Sequence, residues 1–141
     1  MAIKQLSIFV ENKQGSLHEI TDALAKENIN LRSMCIADTS NYGIVRMITD
    51  ETEKAKALLD AEGHAANIRM VNAFAVPDQP GGLAKVLSLL EGNGVNIEYM
   101  YALITTESGK AYSVMRTGNT EETDEILTKC GIELLDESKL H

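Results

Sequence analysis

The sequence lacks tryptophan and has few other aromatic residues, so aliphatic side chains must build its core. Aromatic residues make up 4% of the 141 positions, whereas apolar residues make up 44%. That apolar share is ordinary for globular proteins and argues against a disordered chain. The length allows one ordinary domain or two small ones.

Basic clusters are lacking as well. The chain has 13 Lys and Arg against 21 Asp and Glu, which gives a formal net charge of −8. A protein that binds nucleic acid or an anionic membrane surface needs a basic patch. We therefore expect neither nucleic acid nor a membrane among its partners.

Long apolar runs and paired cysteines are also missing. Cys35 and Cys130 form no CxxC pair, and two such cysteines indicate free thiols in a reducing compartment. No run approaches the ~20 apolar residues of a membrane-spanning helix. The first residues, "MAIKQLSIFVENKQG", contain too short an apolar run for a signal peptide. The sequence therefore predicts a cytoplasmic protein.

Catalytic and metal-binding motifs are absent too. His18, His64 and His141 show neither HxxxH nor HExxH spacing, and the chain contains no GxSxG or GxxxxGK[ST] motif. Without such spacing, a zinc site, a nucleophile and a phosphate loop have no framework. We expect no enzyme activity, no metal and no cofactor.

What the sequence does contain is an internal repeat. A shift of 66 positions aligns six identical residues, which are Val10 with Val76, Gly15 with Gly81, Leu17 with Leu83, Leu24 with Leu90, Asn30 with Asn96 and Met34 with Met100. Further on, the offset becomes 68, where Gly63 meets Gly131. The repeat predicts two structural copies, residues 1–70 and 71–141.

Each copy has the pattern of a βαββαβ unit. "KQLSIFVE" alternates like a strand, and the spacing of Leu83, Val86, Leu87 and Leu90 is helical. Two hairpin strands, a more polar helix and a closing strand follow, the last of them "GIELLD" in the second copy. We predict an α+β fold of two tandem ferredoxin-like units, each a four-stranded antiparallel sheet with both helices on one face.

The strands are apolar on both sides. Phe9 points opposite to Ile8, and Tyr101 and Leu103 point opposite to Ala102. A half-exposed antiparallel sheet should instead alternate apolar and polar residues. We therefore expect part of the second face, or a sheet edge, to contact the other copy or another chain, and we expect a homodimer.

The repeated turns "NKQGSL" and "DQPGGL" are the strongest candidates for a binding site. A helix N-terminus offers unpaired N–H groups to a carboxylate, and glycine lets the ligand approach. Asn12 and Asp78, three residues before the glycines, could receive an ammonium group. Asn30 and Asn96 begin the next strand. We expect them on the side of the sheet where the first strand ends. The alternative is a tight corner in which Asp78 caps the helix and the asparagines serve turns.

The string "FAVPDQPGGLAKVLSLLEGNGVNIEYM" resembles the opening of an ACT domain, with its D-x-P-G-x-L-type turn and its G-V-N-I strand. "FVENKQGSLHEITDALAKENINLRSM" resembles it more loosely, since Gln14 replaces the usual proline and Asn28 the usual glycine. The resemblance covers essentially the whole chain as two tandem domains, which leaves no segment for a catalytic domain.

The resemblance implies a stand-alone regulatory protein that binds a free amino acid at ACT–ACT interfaces and modulates a partner enzyme or pathway of amino acid metabolism. It also implies side-by-side pairing. The alternative is a ligand-free regulatory or structural subunit of a biosynthetic enzyme. The turns would contribute Asn12, Gln14, Gly15, Ser16, Leu17, Asp78, Gly81, Gly82 and Leu83. The second strand of the neighbouring domain would contribute Asn30, Leu31, Asn96, Ile97 and Met100. Which of the two turns holds a working site stays open.

Overall fold

In the computed structural model, which describes residues 2–37, 40–104 and 108–140, both copies follow the predicted order of elements. The first copy contains β1 (Ile3–Glu11), α1 (Ser16–Lys26), β2 (Leu31–Ala37), β3 (Tyr42–Thr49) and α2 (Thr52–Ala61). The strand β4 (Ala66–Pro77) closes the first copy and opens the second. The second copy continues with α3 (Gly82–Gly92), β5 (Ile97–Leu103), β6 (Lys110–Thr117) and α4 (Thr120–Lys129). The predicted α+β class and βαββαβ copies are confirmed.

The chain divides into two units whose main bodies are Lys4–Arg69 and Met70–Lys139. Hydrogen-bonded neighbours follow the order β2-β3-β1-β4 in the first unit and β4-β6-β5 in the second. The pairs β1–β3, β2–β3, β4–β6 and β5–β6 are all antiparallel. The domain boundary after residue 70 stays a prediction. No helix among the described residues is long and apolar enough to cross a membrane.

The predicted closing strand "GIELLD" is shorter than expected. It forms a single antiparallel bridge, between Phe74 and Leu134, in which Glu133 O accepts from Ala75 N at 2.9 Å. Two residues beyond Leu134, the Asp136 carboxylate accepts from Ser138 N at 2.8 Å, just where a short 3₁₀ helix begins. This local bond turns the chain away from the sheet, because an Asp side chain competes with ladder pairing.

Each unit has its own aliphatic core on the helix side of its strands. The first core includes Leu6, Ile8, Val45, Met47 and Leu59. The second is built from Phe74, Val76, Val86, Leu90, Met115 and Leu127. Burial of such side chains, at roughly 1.5–3 kcal/mol each, holds the helices on the sheet.

The second face of the strands is not uniformly exposed. Ile48 is fully buried and Leu103 is 6% exposed, whereas Phe9 is 55% exposed. The exposed apolar surface is therefore smaller than the strand pattern predicts. Other exposed apolar side chains lie on the helix side of the sheet instead. Met34 and Ile36 of the edge strand β2 are exposed there, opposite the core residues Met47 and Val45.

Candidate functional site

The two strand-to-helix turns share one hydrogen-bond pattern. In both, the residue after the strand donates its N–H to the hairpin loop, and a tight turn then leads into the helix. The first turn has Asn12 N to Asn41 O at 2.9 Å and Ser16 N to Lys13 O at 3.3 Å. The second has Asp78 N to Gly109 O at 3.1 Å and Gly82 N to Gln79 O at 3.0 Å. The repeat therefore extends to the backbone geometry of the turns.

Gly15 and Gly81 precede α1 and α3 with φ angles of 88° and 82°. These left-handed conformations favour glycine by themselves, so backbone geometry alone accounts for both glycines. No described side chain caps either helix, whereas Asn119 caps α4 by accepting from Glu122 N at 3.0 Å. The N-terminal N–H groups of α1 and α3 therefore lack the usual side-chain acceptor.

The predicted contributors from the next strand lie at the other end of each unit. The turn follows Glu11, which is opposite Tyr42, whereas Leu31 is opposite Thr49 at the far end of β3. The second unit repeats this arrangement, because Pro77 pairs with Lys110 and Ile97 with Thr117. The expectation that Asn30 and Asn96 lie where the first strand ends is therefore wrong. The helix returns the chain to the beginning of the first strand before the next strand starts.

Several predicted site residues have structural contacts of their own. Leu17 and Leu31 pack against the first core, and Ile97 and Met100 pack against the second. Asn12 Nδ2 donates to Ser40 O at 3.3 Å. Of the remaining predicted positions, Ser16 is partly buried and Gly82 is buried. The others are exposed, and they are Gln14, Gly15, Asn30, Asp78, Gly81, Leu83 and Asn96.

A cavity lies beside each turn, on the side of the strand that closes the unit. The first cavity has a volume of about 360 Å³ and is lined by Phe9, Glu11, Lys13, Ser16, Glu19, Tyr42 and His64, among others. The second, of about 400 Å³, is lined at matching positions by Ala75, Pro77, Gly82, Lys85, Lys110 and Ile132. A smaller groove of about 250 Å³ runs from the first turn to Ile36 and Ala37 at the end of β2.

The two cavities differ in charge. In the first, Lys13 Nζ lies 3.0 Å from Glu11 Oε2, and this hydrogen bond holds the pKa of the Lys13 ammonium above its usual value. His64 Nε2 lies 3.8 Å from Glu19 Oε1. In the second, Lys110 Nζ is 2.7 Å from Glu133 Oε2, and the bond to Lys110 is the main cause of the lowered pKa of Glu133.

The sequence pattern did not identify Glu19 and His64 as site residues. His64 follows Gly63, which the 68-residue offset aligns with Gly131. The repeat therefore aligns His64 with Ile132. A polar residue that aligns with an apolar one between two copies of a repeat indicates a position where only one copy has a binding role, and this difference could have identified His64. In residues 2–37, 40–104 and 108–140, no group of three or more His, Cys, Asp or Glu side chains is placed to hold a metal.

Gly82 is the one glycine of "DQPGGL" that packing requires. A Cβ at this buried residue would lie 2.2 Å from Pro77 O, a backbone atom that cannot move aside easily. Gly82→Ala is therefore expected to lower the free energy of unfolding by about 1–3 kcal/mol, as overpacked sites do. Chemical denaturation measures the change. Gly92→Ala is the control, because a Cβ there meets open space; an equal loss in both variants would contradict the packing explanation.

Comparison with known proteins gives one family. A family model described as an ACT domain pair matches residues 1–141. The crystal structure of protein BT0572 from Bacteroides thetaiotaomicron has a TM-score of 0.92 and 44% identity, and the match covers 99% of this chain and 96% of that one. The comparison with curated proteins found no match.

Two regulatory subunits of aspartate kinase share the fold. The ligand-free subunit from Thermus thermophilus has a TM-score of 0.67 and 16% identity, covering 89% of this chain and 91% of that one. The subunit from Thermus flavus has a TM-score of 0.62 and 15% identity, covering 89% and 90%. The family model, the internal repeat and the order of strands and helices all indicate two ACT domains. The chain belongs to the ACT domain family, and its two βαββαβ copies form an ACT domain pair.

Proposed function

We propose that this ACT domain pair is a regulatory protein that senses a free amino acid and modulates a partner enzyme or pathway of amino acid metabolism. One observation carries the proposal. In each copy an uncapped helix N-terminus, preceded by a left-handed glycine, lies beside a cavity of about 360–400 Å³. Such a volume lies within the usual range for small-molecule sites, which is roughly 300–1,000 Å³.

The turn supplies chemistry that suits a free amino acid. Unsatisfied N–H groups and the helix dipole at the start of α1 favour a carboxylate. Glu11 and Glu19, which line the same cavity, contribute carboxylates that favour an ammonium group. A free amino acid carries both charges close together. Catalysis is not part of the proposal.

Regulation follows if the ligand binds one conformational or assembly state more tightly than another. Titration calorimetry of the purified protein with the twenty L-amino acids tests the proposal, and thermal shift provides a second readout. We expect at least one amino acid to release heat and to raise the unfolding temperature. No heat and no thermal shift with any of them would contradict the proposal.

We further propose that the protein is a homodimer. The edge strand β2 leaves Met34 and Ile36 exposed by 42% and 48%, and Ile36 lines the groove at the first turn. An open strand edge with apolar side chains is a ready surface for pairing with a second chain. Light scattering at micromolar concentration should give twice the 15.4 kDa chain mass. A strictly monomeric mass would contradict this proposal.

A further inference from the structure

We propose that the first cavity, and not the second, binds the amino acid, and that His64 and Glu19 contact the ligand. The inference rests on the proposed function and answers which copy holds the site. It starts from the internal repeat. The two cavities have matching positions, yet only the first has a polar side chain at each of the positions of Ser16, Glu19 and His64.

His64 has an unsatisfied polar atom at the cavity. The His64 side chain is only 18% exposed, and its Nε2 is buried. This atom makes no hydrogen bond to any described residue. The nearest charged atom, Glu19 Oε1, is 3.8 Å away, which is too long for a hydrogen bond. A buried imidazole nitrogen without a partner is unfavourable. A ligand group that bonds to Nε2 would recover this cost.

The backbone of β1 adds a donor at the same place. Phe9 N donates to Ala65 O at 3.3 Å, on the side of β1 that faces the closing strand. Successive N–H groups of a strand point to opposite sides, so the N–H of Glu11 points the same way, towards the first cavity. The matching residue in the second copy is Pro77, which has no N–H to donate.

The charges of the first cavity select a zwitterion. Glu11 and Glu19 contribute two carboxylates, and Lys13 contributes one ammonium group that is paired with Glu11. Among the described residues, no Lys or Arg forms an ion pair with Glu19, and an ammonium group of the ligand would supply a positive charge there. The ligand carboxylate would accept from the start of α1, the Glu11 N–H and His64.

Two aromatic side chains favour an apolar amino acid. Phe9 and Tyr42 line the first cavity and are 55% and 58% exposed. An apolar ligand side chain that covered them would remove apolar surface from water, which is favourable. The ligand class is thus an α-amino acid with an apolar or aromatic side chain.

The second cavity lacks each of these features. Ile132 replaces His64, Lys85 replaces Glu19, Gly82 replaces Ser16 and Ala75 replaces Phe9. Its carboxylate, that of Glu133, already contacts Lys110 at 2.7 Å and Lys139 at 3.1 Å. This cavity offers an amino acid neither an unpaired carboxylate nor an imidazole.

The test uses calorimetric titration of the full chain with L-leucine, L-methionine and L-phenylalanine. Wild type is compared with Glu19→Gln and His64→Ile, the second of which installs the residue of the other copy. His64→Gln keeps a side-chain donor, and Lys85→Gln is the matched change in the second cavity. We expect Kd to rise about tenfold or more in Glu19→Gln and His64→Ile, which is the scale of a lost bond to a charged group. His64→Gln should retain part of the affinity, and Lys85→Gln should bind as wild type does.

Two results would overturn the inference. One is wild-type affinity in both Glu19→Gln and His64→Ile, and the other is weakened binding in Lys85→Gln alone. Either would leave the proposed function intact, because the wild-type protein would still bind. If wild type binds none of the twenty amino acids, the proposed function fails and this inference fails with it. Thermal unfolding of each variant shows that it is folded, and Glu19→Gln, at an exposed carboxylate, provides the test if His64→Ile does not fold.

Discussion

Replacement of Phe74 by alanine is expected to lower the free energy of unfolding by about 3–5 kcal/mol, the usual cost of deleting a buried phenyl ring. Phe74 is fully buried in the second half of β4 and belongs to the core of the second unit. It also pairs with Leu134, which is the single bridge of the shortened closing segment. The loss therefore combines a cavity in the core with weaker docking of that segment.

Denaturation in urea, followed by circular dichroism, measures the effect. Phe9→Ala is a matched control, because it removes the same side chain from a strand position that is 55% exposed. Its cost should be about 1 kcal/mol or less, as for surface substitutions. Similar losses in the two variants would mean that Phe74 is not the core residue described above.

Replacement of Asn72 by alanine should be almost as damaging, with a loss of about 2–5 kcal/mol. Asn72 is fully buried, and its Nδ2 donates to Thr120 O at 2.9 Å and to Asp124 Oδ1 at 2.7 Å. Its Oδ1 accepts from Thr117 Oγ1 at 3.1 Å. This network joins β4 and β6 to the start of α4. Alanine would remove all three hydrogen bonds, which contribute about 0.5–1.5 kcal/mol each between neutral groups and about 1.5–3 kcal/mol where a charged group takes part.

Asn93→Ala provides the comparison for this network. Asn93 is exposed, and its Nδ2 makes one bond of 2.8 Å to Leu89 O near the end of α3. Water can replace that bond, so the free energy of unfolding should change by about 1 kcal/mol or less. A loss in Asn72→Ala no larger than in Asn93→Ala would show that the buried network contributes little to stability.

The repeat made the fold and the turns predictable from the sequence. Glycine has few reasons to recur at a fixed distance, and Gly15 and Gly81 recur because both adopt the left-handed conformation that starts a helix. Aliphatic spacing then predicted the helix face that packs on the sheet, as Val86 and Leu90 show. These features are local, so a single sequence contains enough information to identify them.

The positions of Asn30 and Asn96 could not be obtained in that way. The sequence indicates that a new strand starts there, but the end of the sheet at which it starts depends on the length and direction of the helix before it. Register settles the question, since Leu31 is opposite Thr49 and the turn lies beyond Glu11. The expectation for Asn30 and Asn96 is wrong because elements that follow each other along the chain need not start at the same end of the sheet.

His64 and Glu19 illustrate a second limit. They come from the loop after α2 and from the first half of α1, and they approach each other only when both helices pack on the sheet. Neither residue belongs to a motif with fixed spacing. What singles out His64 is the burial of Nε2 without a partner, which is a property of the tertiary structure.

A crystal structure of the protein with the amino acid that binds in calorimetry tests the central claim most directly. We predict ligand density in the first cavity, with a ligand oxygen within about 3.2 Å of His64 Nε2, as a hydrogen bond requires. The ligand ammonium group should contact Glu19, and the second cavity should contain solvent. Ligand density in the second cavity or in the groove at the end of β2, with none beside His64, would contradict the account.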